Sequence, residues 1–408
     1  MSDFFQNGYI ATLHHIGTVD LEMLESKIMK YSRWRPVSLI LPSLYSELEG
    51  DALPRIISHL KNIDYIHRIV IGLDNADEDQ FAKALDFFSV LPQEKKIIWN
   101  NGPKMESIYS KLWSEGLLEV SGGKGRNVWI CMGFILACRD TEIIALHDCD
   151  ILTYDRNLLA RMIYPLVDPN MEYEYAKGYY ARITDKFHGR VTRLFVTPLI
   201  RALQCILGTV PYLDYLNSFR YPLSGEFALN TGLAKTTRMP SNWGLEIGML
   251  GEVYRNCTQR RICQVDLTID YEHKHQQLSS EDSSKGLHKM CIDIAITLFS
   301  ALAAEGIAFS EGMFRSLKVT YRRIAEDTVR LFEDDAAING LSYDRHAEIN
   351  AVEIFTKGLD TAGQAFLTDP LGVPPIPSWT RVTSAIPSIF EELLEAVESD
   401  NRRNSKLP

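Results

Sequence analysis

The sequence lacks a surplus of positive charge. Its 408 residues contain 43 Lys and Arg against 53 Asp and Glu, which gives a formal net charge of −10. Nucleic acids and anionic membrane surfaces attract proteins that carry a basic field, so we expect neither as a general partner. An anionic small molecule stays open as a substrate, because a local basic pocket can lie in an acidic protein.

Paired cysteine motifs and long apolar runs are missing as well. The seven cysteines form no Cys-x-x-Cys pair and their number is odd, which disfavours a disulfide framework or zinc knuckle and favours a reducing cytoplasm. Residues Met1–Gly17 have no basic segment followed by a long apolar one, so we expect no signal peptide. Apolar runs such as Val128–Cys138 are too short to cross a bilayer, so we expect no membrane anchor.

The composition is typical of a globular protein, with 46% hydrophobic and 24% charged residues. At roughly 100–200 residues per domain, the length predicts two domains or one large domain with an appendage. We predict a helical leader over residues 1–34, an α/β domain over 35–278 and a helical region over 279–408. The helical region shows amphipathic spacing without a chemical motif, so we expect it to support assembly, most simply as a homodimer.

Short apolar runs alternate with helical patterns in the first part of the α/β domain. The runs predict strands at Val37–Leu41, Arg68–Leu73, Lys96–Trp99 and Glu142–Leu146. Helices are predicted between and around them, at Ala52–Ile63, Asp77–Val90, Met105–Leu118 and Asn127–Cys138. This alternation predicts a mostly parallel sheet that is flanked by helices on both faces.

Polar residues follow the predicted strands, and ligands of parallel sheets bind beyond the carboxyl ends of the strands. The polar residues in these positions are Ser43, Asp74, Asn75, Asp148 and Asp150. The segment Asp148-Cys149-Asp150 is the strongest of them, since two carboxylates at a strand end can hold a hard divalent cation and leave positions open for phosphate oxygens. A second triplet, Asp77-Glu78-Asp79, opens a predicted helix, where acidic residues simply favour the helix dipole.

Three further segments offer chemistry but are weak when taken alone. Gly123-Lys124-Gly125 precedes an apolar helix, where glycine allows close approach and the helix N-terminus favours anions, although such a tripeptide is usually a turn. The stretch from Lys177 to Arg193 contains several cations that suit phosphate, or that form an ordinary basic surface. A histidine of Glu272-His273-Lys274-His275 could complete a metal site, or the segment could be a solvated loop.

Taken in order, the motifs resemble those of the glucosyl-3-phosphoglycerate synthases and their mannosyl counterparts, which are retaining glycosyltransferases of the GT-A fold. The resemblance covers roughly residues 37–276, and the order of the motifs is far more specific than any single one. The segments that carry it are Leu41-Pro42-Ser43-Leu44, Gly123-Lys124-Gly125, Asp148-Cys149-Asp150, Gly189-Arg190-Val191-Thr192-Arg193, Pro222-Leu223-Ser224-Gly225-Glu226, Gly244-Leu245-Glu246-Ile247-Gly248 and Glu272-His273.

The resemblance implies a nucleotide-sugar donor, 3-phosphoglycerate as the acceptor, and Mg²⁺ or Mn²⁺ as the cofactor. Donor-binding residues would be Pro42, Ser43, Leu44, Asp74, Lys124, Asp148, Cys149 and Glu246, with Trp243 near the sugar. The metal ligands would be Asp150 and His273, and the acceptor would lie against Gly189, Arg190 and Thr192. The residues implied to be catalytic are Asp150, Glu246 and Arg190.

The sequence departs from the family pattern at the donor and metal segments. Tyr45-Ser46-Glu47 stands where Asn-Glu-Glu is common, and Asp74-Asn75-Ala76-Asp77 stands where the family has an Asp-Ser-Gly-Ser type of segment. Tyr271 replaces a common Arg and His275 a common Asn. The change at Tyr45-Ser46-Glu47 bears on the contacts to the donor base and ribose.

Several functions remain open on the sequence alone. For a transferase, UDP-glucose is the leading donor, which would give a glucosyl product. GDP-mannose, which would give a mannosyl product, is the alternative. A haloacid-dehalogenase-type phosphatase is a remote alternative, with Asp334-Asp335 as its later acidic pair, although Leu152 stands where that family has Thr or Val. A non-catalytic binding module that keeps the fold is the other. For a transferase, we expect front-face attack by the acceptor, with double displacement through Glu246 as the alternative.

Overall fold

The central element is a sheet that is built from the buried apolar segments. The computed structural model describes residue 6 and residues 8–17, 20–119, 122–268, 271–272 and 286–402. Within them, the sheet has eight strands in the order β1-β8-β6-β7-β5-β2-β3-β4. The strands are β1 Ala11–Leu13, β2 Val37–Leu44, β3 Ile66–Asp74, β4 Glu94–Trp99, β5 Ile143–Leu146, β6 Tyr175–Tyr180, β7 Phe227–Asn230 and β8 Ile262–Thr268.

Helices cover both faces of this sheet and continue into the C-terminal region. Those that precede residue 269 are α1 Leu21–Ser32, α2 Ala52–Leu60, α3 Glu78–Phe88, α4 Pro103–Ser114, α5 Lys124–Cys138, α6 Arg156–Val167, α7 Thr197–Leu207, α8 Pro211–Asn217, α9 Thr231–Thr236 and α10 Leu245–Asn256. Those that follow are α11 Gly286–Ala304, α12 Glu311–Asn339, α13 Arg345–Thr368, α14 Trp379–Ala385 and α15 Ile389–Arg402. A π-helical segment, Val191–Val196, leads into α7.

The sheet is mostly parallel, and this confirms the predicted fold class. Every neighbouring pair of strands is parallel except those that involve β7, which is antiparallel to both β5 and β6. All four predicted strand–helix units are present, and the ends of their strands and helices differ from the predicted ends by a few residues. Strand β2 passes Pro42, where the prediction ended it, because β5 pairs only with Val37–Ile40 and a proline is tolerated in a strand that has one partner.

The leader contributes a strand as well as the predicted helix. Helix α1 begins after Asp20, whose side chain accepts a hydrogen bond from the Met23 amide at 3.1 Å. Strand β1 pairs with β8 in parallel and adds an edge to the sheet. Three residues are too few to display a strand pattern, so the sequence contains little signal for β1.

The acidic triplet at 77–79 has a structural role, as expected. Asp77 caps α3, because its carboxylate accepts a hydrogen bond from the Gln80 amide at 2.8 Å, and the Gln80 side chain accepts one from the Asp77 amide. This reciprocal pair is a capping box. The triplet therefore caps a helix, and of the two Asp-x-Asp segments the one at 148–150 stays the candidate metal site.

The C-terminal helices share the hydrophobic core of the α/β domain. One cluster of buried side chains contains Trp129 and Phe195 from the α/β part together with Leu298 and Phe355 from the helical part. Helix α12 packs against α7, and α15 packs against α4, α5 and β4. The helical character of the region confirms the prediction, whereas the division of the chain before residues 35 and 279 stays a prediction.

Helix α11 is the one helix, among the described residues, that is long and apolar enough to cross a membrane by length and composition. In the most apolar stretch of 18 residues within this helix, 44% is buried inside the protein. It packs against α10 and α13, with Leu298 and Phe299 in the main core. Core packing accounts for its apolar residues, so the helix is weak support for a membrane span.

Candidate active site

A cluster of charged side chains lies where β5, α5 and α10 meet. Lys124 is the first residue of α5, Asp148 follows β5, and Glu246 lies in the first turn of α10. The Lys124 Nζ is 2.6 Å from Asp148 Oδ1 and 3.3 Å from Glu246 Oε1. The fold thus brings together three predicted donor-binding residues, and the two that are farthest apart in the chain, Lys124 and Glu246, are separated by 122 positions.

Two glycines allow Lys124 to enter this cluster. Gly123 has a φ of +105°, which L side chains rarely adopt. A Cβ on Gly125 would lie 1.9 Å from the Pro240 carbonyl oxygen, so only glycine fits against the loop that leads to α10. The Gly-Lys-Gly segment therefore lies at a helix N-terminus with its backbone in close approach to the 240–241 loop, and its role in binding an anion stays a prediction.

Asp148 is crowded by other acidic groups. Burial raises its pKa to about 6, and while Lys124 opposes the rise, Glu226 and Asp150 add to it. A Cβ on Gly225 would lie 2.1 Å from Asp148 Oδ2, so the glycine lets the 222–226 segment lie directly on the carboxylate. For Lys124, attraction to Asp148 and Glu246 outweighs the effect of burial and raises the pKa.

Beneath this layer lie a buried carboxylate and a buried lysine. Glu226 accepts hydrogen bonds from the hydroxyls of Tyr271, at 2.7 Å, and Tyr180, at 2.8 Å. The rings of these two tyrosines stack with their centroids 3.5 Å apart. Lys177 is 1% exposed, and its ammonium donates to the Ser224 carbonyl at 2.6 Å. Burial lowers the pKa of Lys177 to about 8, although Glu246 and Glu226 favour its charged form.

The charge of this cluster suits a divalent cation. The cluster contains four carboxylates and two lysines, so its net charge is two negative charges, which one Mg²⁺ or Mn²⁺ ion would balance. The carboxylates are those of Asp148, Asp150, Glu226 and Glu246, and the lysines are Lys124 and Lys177. Carboxylate oxygens are the ligands that these ions prefer. The second predicted ligand, His273, lies outside the described residues.

Among the described residues, the one group of three metal-capable side chains whose ligand atoms converge lies at the opposite end of the sheet. His67, Glu94 and Asp140 place a possible ligand atom each within 4.8 Å of one another, at the amino ends of β3, β4 and β5. Arg68 already pairs with Asp140 at 2.7 Å and with Glu94 at 2.8 Å. Arg68 contacts both carboxylates and offsets one of their two negative charges, and His67 lies 3.2 Å from Asp140, so ion pairing accounts for this cluster without a metal.

The end of β3 forms a second, more enclosed part of the site. Asp74 accepts a hydrogen bond from the Asn127 side chain at 2.9 Å and lies 3.7 Å from the Arg126 guanidinium. Burial raises the pKa of Asp74. Sequence analysis missed Arg126 and Asn127, although both directly follow Lys124 and Gly125 in the first turn of a helix that faces the strand ends.

The end of β2 places its predicted donor residues beside the Asp148 segment. Ser43 is buried and donates from Oγ to the Leu44 carbonyl at 2.9 Å, whereas the Leu44 side chain is exposed. Cys149 is also buried, and burial together with Asp148 and Asp150 raises the pKa of its thiol. Pro42 pairs with Gly72 of β3. Of this group, Leu44 has the most exposed side chain, Pro42 is half-buried, and Ser43 and Cys149 are buried.

The predicted acceptor residues lie at the start of the π-helical segment. Gly189 has a φ of +70°, and a Cβ there would lie 3.0 Å from the Tyr221 hydroxyl. Thr192 is buried. The Arg190 Nε donates to Glu348 Oε1 at 2.6 Å, so a carboxylate from α13 pairs with the arginine that was expected to meet the acceptor. Sequence analysis missed Glu348, and no local pattern marks it.

Aromatic contacts join the acceptor residues to the charged cluster. Tyr221, which lies against Gly189, has its ring centroid 5.0 Å from that of Tyr180. Tyr180 in turn donates to Glu226, next to the glycine that touches Asp148. The two predicted halves of the site are therefore linked by direct contacts.

The alternative acidic pair is remote from this arrangement. Asp334 and Asp335 lie within helix α12 and are exposed. They do not follow a strand, as the later acidic pair of a haloacid-dehalogenase-type site would. This removes one of the two features that favoured a phosphatase, and the Asp-x-Asp segment after β5 is the other.

Comparison with known proteins identifies close relatives. No family model matches the chain. The chain is 50% identical over 401 residues to the glucosyl-3-phosphoglycerate synthase of Persephonella marina, which covers 98% of this chain and 99% of that protein. It is 40% identical over 404 residues to the enzyme of the same name from Methanococcoides burtonii, with 98% of each chain covered.

Solved structures share the fold at lower identity. Glucosyl-3-phosphoglycerate synthase from Mycobacterium tuberculosis, in complex with Mn²⁺, UDP-glucose and phosphoglyceric acid, has a TM-score of 0.53 at 21% identity, over 74% of this chain and 89% of that one. Mannosyl-3-phosphoglycerate synthase from Rubrobacter xylanophilus has a TM-score of 0.54 at 20% identity, over 70% and 80% of the two chains.

Proposed function

Since the chain belongs to the glucosyl-3-phosphoglycerate synthase family and is a glycosyltransferase, we propose that it transfers glucose from UDP-glucose to 3-phosphoglycerate with retention of configuration. The observation that carries the proposal is the cluster of Lys124, Asp148 and Glu246 at the carboxyl end of the sheet. The names of both close relatives support it, and so does the M. tuberculosis enzyme, which was solved with UDP-glucose and phosphoglyceric acid.

On the donor side, we assign the diphosphate to the N-terminus of α5. Lys124 is the cation there, and its ion pair with Asp148 holds it in place at 2.6 Å. Asp150 and His273 would hold Mg²⁺ or Mn²⁺, the ions found in structures of the M. tuberculosis enzyme. Such an ion supplies charge neutralisation for the leaving diphosphate. Pro42, Ser43, Leu44, Asp74 and Cys149 would line the nucleotide.

On the acceptor side, we assign the phosphate of 3-phosphoglycerate to Arg190. The guanidinium is a bidentate donor that suits phosphate, and the Arg190 side chain is 35% exposed. The backbone at Gly189 and the hydroxyl of Thr192 would assist it. A local cation is required because the protein as a whole is acidic.

We propose that the acceptor hydroxyl attacks the anomeric carbon from the face that the diphosphate leaves. The bond from that carbon to the diphosphate oxygen breaks, a bond to the glycerate oxygen forms, and the leaving diphosphate takes the proton. Glu246 is the candidate nucleophile for the alternative double displacement, but its carboxylate is paired with Lys124, which stabilises its charge and opposes nucleophilic attack.

A panel of four donors tests the proposal. UDP-glucose, GDP-glucose, UDP-mannose and GDP-mannose are each incubated with 3-phosphoglycerate, and the release of nucleoside diphosphate and the anomeric configuration of the product are measured. We expect UDP-glucose to give the fastest release and an α-linked product. Faster release from GDP-mannose would indicate a mannosyltransferase, and no release from any donor would indicate a binding module. Glycerate, which lacks the phosphate, serves as the control acceptor.

We also propose that the protein acts in a reducing cytoplasm as a homodimer. All seven cysteines are free, which suits a reducing compartment. Sedimentation of the full chain at micromolar concentration tests the dimer, and a monomer would contradict it.

A further inference from the structure

We propose that Glu348 is a positioning residue for Arg190, and that the C-terminal helical region thereby builds part of the acceptor site. The inference rests on the proposed function, since it takes Arg190 to be the residue that binds the acceptor phosphate. It revises the expectation that the region after residue 279 serves assembly alone.

The Glu348 carboxylate bridges two arginines of the acceptor motif. It is 4% exposed, and its Oε1 accepts from Arg190 Nε at 2.6 Å while its Oε2 accepts from Arg193 Nη2 at 2.9 Å. Each oxygen has its own arginine, so the orientation of the carboxylate is fixed. A buried carboxylate that makes two charge-assisted hydrogen bonds is a rigid anchor.

Of the two arginines, Arg193 is the structural one. Its Nε donates to the His188 carbonyl at 2.9 Å, and its guanidinium lies 4.6 Å from the ring centroid of Phe332. Its side chain is 9% exposed, whereas that of Arg190 is 35% exposed. Arg193 therefore holds Glu348, and Glu348 holds Arg190, which is the arginine that solvent and an acceptor can reach.

The contact to Arg190 uses Nε and no other atom of the guanidinium. Among the described residues, the two terminal nitrogens of Arg190 make no hydrogen bond or ion pair. Those nitrogens form the fork that binds phosphate or carboxylate in a bidentate manner. Glu348 thus orients the side chain while it leaves the phosphate-binding edge open.

The C-terminal region holds the same segment at two further points. The Tyr321 hydroxyl of α12 donates to the Leu194 carbonyl at 2.8 Å, within the π-helical segment. The Ser342 amide donates to the Asp185 carbonyl at 2.7 Å, just before Gly189. The C-terminal region therefore contacts the backbone on both sides of Arg190.

The charges at this point favour an anion even with Glu348 in place. Two arginines and one carboxylate leave one net positive charge, so Glu348 reduces the attraction without cancelling it. Fixing a long side chain before the ligand arrives saves the cost of ordering it on binding. We expect the loss of that order to weaken acceptor binding by roughly 2- to 12-fold, which corresponds to the ordering cost of one flexible side chain.

The test uses the full-length chain with Glu348→Gln, and measures KM for 3-phosphoglycerate and for UDP-glucose together with the unfolding temperature. We expect the acceptor KM to rise roughly 2- to 12-fold, with little change in the donor KM. The control is Glu353→Gln on the same helix, because Glu353 is exposed and its one ion pair among the described residues is to Arg322 at 3.9 Å. An acceptor KM that is unchanged or lower in Glu348→Gln would overturn the inference.

A double mutant separates positioning from a general structural effect. If Glu348 acts through Arg190, Glu348→Gln should add nothing to the acceptor KM of Arg190→Ala. The same fold-rise in both backgrounds would mean that Glu348 acts elsewhere, and would contradict the inference. Should Glu348→Gln fail to fold, Glu348→Asp keeps the buried charge and withdraws the carboxylate by one carbon, with the same expected change in acceptor KM. If the wild-type chain does not use 3-phosphoglycerate at all, the proposed function itself has failed.

Discussion

Trp379 stacks on Trp129, although 250 residues separate them in the chain. Their ring centroids are 4.2 Å apart, and the Trp379 indole N–H donates to the Trp129 carbonyl at 3.0 Å. The Trp129 indole N–H donates in turn to the Pro377 carbonyl at 2.8 Å. Because Trp129 belongs to the helix that presents Lys124, the C-terminal region braces the donor side of the site.

The first prediction concerns this brace. Trp379→Ala should lower the free energy of unfolding by about 3–5 kcal/mol, because it removes a fully buried aromatic side chain and leaves a cavity against α5. Chemical denaturation measures the change, and we expect one transition for both regions of the chain. Trp34→Ala is the matched control, since Trp34 is 85% exposed and its loss should change stability by less than about 0.5 kcal/mol.

The second prediction places the metal at the carboxyl end of the sheet. Asp150→Asn should abolish turnover and weaken Mn²⁺ binding, as measured by electron paramagnetic resonance, with the fold intact. Asp140→Asn is the control, because Asp140 belongs to the other cluster of metal-capable residues. Full activity of the wild type in excess chelator would contradict a metal requirement. Loss of Mn²⁺ binding in the Asp140→Asn control alone would show that the metal binds at His67, Glu94 and Asp140 instead.

The third prediction concerns Lys124. Lys124→Ala should raise the KM for the nucleotide sugar roughly 10- to 150-fold, which corresponds to the loss of one charge-assisted hydrogen bond. It also leaves Asp148 without its cation among several carboxylates. The acceptor KM should change little. Lys83→Ala, on the exposed face of α3, is the control, and an equal effect there would indicate long-range electrostatics instead.

The fourth prediction concerns the specificity for a phosphorylated acceptor. Arg190→Ala should weaken 3-phosphoglycerate binding roughly 10- to 150-fold and leave donor binding nearly unchanged. The variant should also discriminate less between 3-phosphoglycerate and glycerate than the wild type does. Titration calorimetry with each ligand checks both points. A selective loss of nucleotide-sugar binding would show that Arg190 has been assigned to the wrong substrate.

The fifth prediction is a pH dependence of stability that originates in His147. Burial lowers the pKa of this fully buried histidine to about 3. The unfolded chain therefore takes up a proton near pH 6.5 that the folded protein does not, and stability falls as the pH decreases below that value. Between pH 7.5 and 5.5 the loss from this residue should be roughly 1.4 kcal/mol.

Denaturation at the two pH values, on the wild type and on His147→Phe, isolates this contribution. The ring of His147 packs edge-on against Tyr154 with centroids 5.6 Å apart, so an aromatic replacement keeps the packing. We expect the variant to lose less stability on acidification. An identical loss in both proteins would assign the pH dependence to other groups.

Much of the site could be predicted because its signals are local. The segment Asp148-Cys149-Asp150 follows an apolar strand, and Gly123-Lys124-Gly125 precedes a helix, so neighbouring residues alone indicate which chemistry each can offer. Of the residues that the prediction missed, Glu348 carries no such signal, while Arg126 and Asn127 stand beside the Gly-Lys-Gly segment but nothing in the sequence indicates their partner. Asn127 lies within an apolar helix, and only the fold shows that it reaches Asp74.

What the sequence by itself determined is the parallel sheet with its helices and the order of motifs at the strand ends, because apolar periodicity and strand-end chemistry are written in adjacent residues. Tertiary structure alone decided which distant charges meet. Glu348 reaches Arg190 across 158 residues, and the pairing depends on how α13 packs against the π-helical segment. A lone glutamate in an amphipathic helix is indistinguishable from a surface residue until packing buries it beside two arginines.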